Sequence, residues 1–135
     1  MKKLILLTTL LIPFIMFSQH QLGADIDGEA AGDISGYSVS IDSDGSHVAI
    51  GAYANDGTGS GAGHVRIYSW DGTNWSKVGN DIDGEAAGDL SGLSVSIDSD
   101  GSHVAIGAYA NDGTGSGAGH VRIYSWDGTN WSKVG

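Results

Sequence analysis

The 135-residue chain has no Cys, one Pro, two Phe and only six Lys and Arg. Without Cys, disulfides, thiolate catalysis and Cys-ligated zinc are excluded. Cations are scarce and unevenly placed. Beyond Lys2 and Lys3 only Arg66, Lys77, Arg122 and Lys133 remain, against sixteen carboxylates, so residues 19–135 carry a formal charge of −12. Nucleic acid and anionic membrane surfaces are therefore excluded as partners, because each requires a basic patch. Leucine is nearly missing after residue 18, where only Leu22, Leu90 and Leu93 occur. Gly is abundant instead, and all 23 lie at position 23 or later. Each Gly costs about 1 kcal/mol in a helix interior, and no segment sustains i, i+3, i+4 spacing, so an all-β chain is expected.

The Phe, Met and Pro residues all fall within the first 17 positions. There Met1-Lys2-Lys3 precedes an apolar run from Leu4 to Phe17 and then Ser18-Gln19. A short basic start, about 7–15 apolar residues and a small residue at the cut form the pattern of a secretory signal. The run is shorter than the roughly 20 residues that span a bilayer, and Pro13 interrupts any helix within it. The expected organisation is a signal peptide over 1–18, a linker over 19–23, and a secreted or cell-surface chain with no membrane insertion after cleavage.

The rest is one unit written twice. Residues 24–79 and 80–135 align without a gap at a period of 56 and differ only at Ala24/Asn80, Ile34/Leu90 and Tyr37/Leu93. That period lies in the range of propeller blades rather than helical repeats. Four strands are expected per unit. In the first, Tyr37–Ile41 alternates Val39 and Ile41 with serines, and the Asp42-Ser43-Asp44-Gly45 turn leads into His47–Ala52. The Gly-rich stretch 55–63 reads as an exposed loop. His64–Trp70 then sets Val65 and Ile67 on one face and Arg66, Tyr68 and Trp70 on the other, and the Asp71-Gly72-Thr73-Asn74 turn leads to Trp75–Val78. Trp70 and Trp75 bracket the last turn, where an aromatic cross-strand pair fixes register and contributes about 0.2–1 kcal/mol; a stacking platform for a sugar is the functional alternative. The expected fold is thus all-β, with two four-stranded antiparallel blades of β-propeller type. Since propellers close with about 4–8 blades, two form an incomplete ring, and a fragment of a longer array or self-association is expected. Among the copy differences, Tyr37/Leu93 is expected to fill an inter-blade contact and Ile34/Leu90 to conserve core volume.

Ser35-Gly36-Tyr37-Ser38-Val39-Ser40, followed by Asp42-Ser43-Asp44-Gly45 and Val48-Ala49-Ile50-Gly51-Ala52, resembles the FG-GAP repeat. Gly36-Tyr37 and Gly92-Leu93 stand for the first half of that name, while Gly51-Ala52-Tyr53 and Gly107-Ala108-Tyr109 stand for the second, with Tyr in place of Pro. The resemblance covers almost all of the mature chain. It implies blades of the integrin-α-type β-propeller, as in secreted bacterial surface proteins, and a role in adhesion or ligand binding. It also implies calcium in some blades, held by an Asp-x-Asp-x-Asp-Gly-x-x-Asp loop. Asp42-Ser43-Asp44-Gly45 departs from that loop by running directly into the next strand, which favours a plain hairpin.

Candidate calcium ligands lie instead in the acidic clusters Asp25, Asp27, Glu29, Asp33 and Asp81, Asp83, Glu85, Asp89. Four carboxylates in nine residues suit a hard cation, and they equally suit a solvated connector between blades. Tyr53 and Tyr109 are the candidate ligand-contacting aromatics. No catalytic residues are assigned: His47, His64, His103 and His120 sit on expected strands, with no His-x-x-x-His spacing or Gly-x-Ser-x-Gly elbow. The leading expectation is a non-catalytic extracellular segment for binding a protein or glycan. A purely structural spacer array is the alternative, and a calcium-dependent carbohydrate-binding module the third.

Overall fold

The computed structural model describes residues 20–135, so the signal peptide expected over 1–18 lies outside the described residues. All regular structure within them is β. The first sheet contains β1 (Ser38–Ile41), β2 (His47–Ala52), β3 (His64–Trp70) and β4 (Trp75–Lys77) in that order, with β5 (Ile82–Asp83) also paired to β3. The second sheet orders β6 (Ser91–Ile97), β7 (His103–Ala108), β8 (His120–Trp126) and β9 (Trp131–Lys133). All of these strand pairings are antiparallel.

The Asp-Gly turns close the hairpins for a local reason. Asp42 accepts hydrogen bonds from the Ser46 N–H at 2.8 Å and the His47 N–H at 3.1 Å. Asp71 accepts from the N–H groups of Thr73 and Asn74, both at 2.8 Å. The Asp71 turn sets Trp70 directly opposite Trp75, with ring centroids 5.4 Å apart. The same pair recurs as Trp126 and Trp131, also at 5.4 Å.

Strand alternation gives each sheet two different faces. In the first sheet Ser38, Ser40, Ala49, Gly51, Val65 and Ile67 share one face, as the register requires. This face meets the opposite kind of face on the second sheet, that of Val95, Ile97, Val104, Ile106 and Tyr124. Between them lies the core of Ala49, Val65, Ile67, Ile82, Ile97, Val104, Ile106 and Tyr124. Fully burying an aliphatic side chain contributes about 1.5–3 kcal/mol, so this inter-sheet layer is the main source of stability. The serines of β1 clamp its edge: Ser38 donates to the Gly92 carbonyl at 2.7 Å, and Ser40 accepts from the Ile97 N–H at 3.1 Å.

The two outward faces are therefore the same two surfaces without their partners. Val65 and Ile67 are fully buried, yet their counterparts Val121 and Ile123 are 68% and 47% exposed. Ile97 is 8% exposed, yet its counterpart Ile41 is 59% exposed.

Four expectations are corrected. The first sheet has five strands, not four, because the backbone of Ile82-Asp83 pairs with Val65 and His64. The Gly-rich loop 55–63 is not simply exposed: Asn55 and Ala62 are buried, and the backbone carbonyls of Ser60, Gly61 and Ala62 accept from Gly88, Leu90 and Ser91. Ile34 is no core residue; it is about half exposed, and both it and Leu90 turn the chain at φ 55°. Tyr37 is 60% exposed rather than packed into a seam, and its ring meets Tyr53 of the same unit edge-on, at 4.7 Å between centroids.

Candidate functional site

The two acidic stretches do not form two self-contained clusters. In each, the last carboxylate fastens its own turn. Asp33 accepts from the Ala30 N–H at 3.2 Å and from Asn55 Nδ2 at 2.9 Å, and Asp89 does the same with Ala86 and Asn111 at 3.0 and 2.9 Å. Asp25 accepts from Gln21 at 2.7 Å on the surface. Asp27 contributes its backbone carbonyl, which accepts from Arg66 Nη2 at 3.0 Å, and Asp83 does likewise for Arg122 at 2.7 Å. Burial, and after it the nearby Asp81 carboxylate, push the Asp83 carboxyl above its usual range.

The fold brings Glu29 and Asp81 together, one from each stretch, with His64 between them. Pairing of β5 with the start of β3 places the second connector over His64. His64 Nδ1 stands 3.9 Å from Glu29 Oε2 and 3.9 Å from Asp81 Oδ2. Each carboxylate has its other oxygen held by a cation: Arg66 Nη1 lies 3.5 Å from Glu29 Oε1, and Lys77 Nζ lies 2.6 Å from Asp81 Oδ1. The second unit repeats half of this arrangement, with His120 Nδ1 3.8 Å from Glu85 Oε2 and Arg122 Nη1 3.5 Å from Glu85 Oε1.

His64 is set aside in the sequence for want of a His-x-x-x-His spacing, and Arg66 and Lys77 are not among the sequence candidates. The readable signal was the alternation of His64 and Arg66 along one strand in a unit that opens with four carboxylates.

Two further constellations have clear limits. Ser46 Oγ and Asp42 Oδ2 both approach His47 Nδ1, at 2.9 and 2.8 Å. Both partners meet one ring nitrogen, so the imidazole cannot pass a proton from serine to carboxylate as a catalytic triad does. Burial alone would raise the Asp42 carboxyl, but the His47 backbone N–H, the His47 ring and Ser46 together bring it down to about 2. Beside each Trp pair lies a shallow cleft of about 190 Å³, one lined by Asp25, Asp27, Tyr68, Asn74 and Trp75, the other by Asp81, Asp83, Tyr124, Asn130 and Trp131. Ligand pockets for whole small molecules are about 300–1,000 Å³, so these clefts suit only the edge of a polar ligand. Tyr53 is half-buried against Tyr37, whereas Tyr109 is exposed.

Compared with protein-family models and with curated proteins, the sequence has no match in either.

Proposed function

We propose that the chain is an extracellular, non-catalytic segment of β-propeller-type blades that works by stacking on units of its own kind and serves binding or adhesion. The observation that carries this reading is the pairing of unlike faces. The face that closes the core in the first sheet lies open in the second, and the β1 side of the face that closes it in the second, Val39 and Ile41, lies open in the first. Such an arrangement is heterologous, and it propagates rather than closing on itself as a two-fold pair. The basic start and apolar run of residues 1–18 support export, and the order of FG-GAP-like motifs supports the blade reading. The duplicated aromatic and carboxylate clefts support repeated weak contacts, which linkage turns into avidity.

For this chain the occupant of the open faces is a second copy. Its Val39 and Ile41 would cover Val121 and Ile123, as Val95 and Ile97 cover Val65 and Ile67 within the chain. One adjustment is needed. Leu22 O accepts from Trp75 Nε1 at 3.0 Å, just as Val78 O accepts from Trp131 Nε1 at 3.0 Å, so residues 22–23 stand before the first unit as 78–79 stand before the second. A docking copy thus displaces the exposed Val134 and Gly135 of its neighbour. Light scattering across a dilution series tests the proposal. The average mass is expected to rise with concentration beyond that of one chain, and a constant monomer mass would refute stacking.

A further inference from the structure

We infer that Glu29, His64 and Asp81 form a site for a divalent transition-metal ion of the zinc class, held across the junction between the two units. One ligand atom from each, His64 Nδ1 and one oxygen of each carboxylate, lie within 4.8 Å of one another. The cluster does not rest on its acidity alone. The His64 side chain is 2% exposed, and its Nδ1 faces both carboxylates at 3.9 Å, beyond hydrogen-bond reach. An imidazole buried this deeply whose Nδ1 meets no protein group within hydrogen-bond reach lacks a partner at that nitrogen, and an ion bound at Nδ1 supplies one.

The outer contacts orient the ligands. Arg66 on Glu29 Oε1 and Lys77 on Asp81 Oδ1 leave Oε2 and Oδ2 turned toward the ring. Supporting contacts of this kind fix the direction of metal-binding oxygens. Metal–ligand distances near 2.0–2.2 Å place tetrahedral donors about 3.3 Å apart, so the carboxylate oxygens move in toward His64 Nδ1 by roughly half an ångström and toward each other by up to roughly 1.5 Å on binding. Glu29, 43% exposed, has room for that movement. The imidazole decides the class of ion. Nitrogen with carboxylate oxygen suits zinc and its neighbours, whereas calcium takes 6–8 oxygens. This donor set takes one carboxylate from each of the two acidic stretches and adds the imidazole.

The test is thermal unfolding of the purified protein with zinc and with chelator, alongside cobalt absorption spectra. Zinc is expected to raise the midpoint by several degrees, and cobalt to give visible bands at one ion per chain. Both signals are expected to be lost in Asp81→Asn, a change of nearly equal volume at a side chain 19% exposed, and to survive in Asp27→Asn, which alters a neighbouring carboxylate outside the cluster. His64→Gln adds a check at the buried ligand if it folds. No midpoint shift in the wild-type protein overturns the site, as does an undiminished shift in Asp81→Asn.

Discussion

Gly51→Ala is expected to lower stability by about 3 kcal/mol or more, while Gly107→Ala lowers it by less than about 1 kcal/mol, although the two glycines occupy the same place in the repeat. A Cβ on Gly51 would overlap the backbone carbonyl of Gly92 in the facing sheet. Backbone cannot step aside without separating β6 from β2, and that contact lies over the core. At Gly107 the added carbon meets only the Ser94 hydroxyl of its own sheet, which can rotate into the open. Denaturant midpoints of the two variants, measured in dilute solution, check the prediction. Equal losses would mean that the sheets do not meet at Gly51.

The second large effect comes from the core itself. Ile67→Ala is expected to cost about 2–5 kcal/mol, since it removes a fully buried side chain between two sheets that cannot collapse around the gap. Ile123→Ala is expected to stay within about 0.5 kcal/mol, the range of surface changes, because Ile123 is 47% exposed. At roughly 4 °C per kcal/mol for a chain of this size, Ile67→Ala melts about 8–20 °C lower in calorimetry of dilute protein. A loss of the same size at Ile123 would contradict the assignment of inner and outer faces. Each unit serves as the other's internal control, since local sequence is the same and only the neighbour differs.

The strands were legible because alternation and turn chemistry are local. Ser-Val-Ser-Ile, the Asp-Gly turns and the bracketing Trp residues specify hairpins whatever surrounds them. β5 was not legible, because Ile82-Asp83 sits among carboxylates and becomes a strand only by pairing with β3. The turn at Ile34 and Leu90 was hidden for a related reason: a branched aliphatic residue at positive φ contradicts its own preference and is held there by its surroundings. The candidate site joins Glu29 to Asp81 across 52 positions, and no spacing rule within either acidic stretch could have paired them. Nor could composition separate Val65 from Val121, identical in sequence context and opposite in exposure.

The central claim is that one unit's face is built to receive the next, and complementary blocking tests it most directly. Ile41→Asp places a charge on the open face of the first sheet, and Ile123→Asp places one on the open face of the second. Each variant alone is expected to remain monomeric in light scattering at concentrations where the wild-type chain associates. Mixed in equal amounts, they are expected to form one-to-one dimers and nothing larger, since one unblocked pair of faces remains. A mixture that stays monomeric, or a single variant that still associates as the wild type does, would contradict the account.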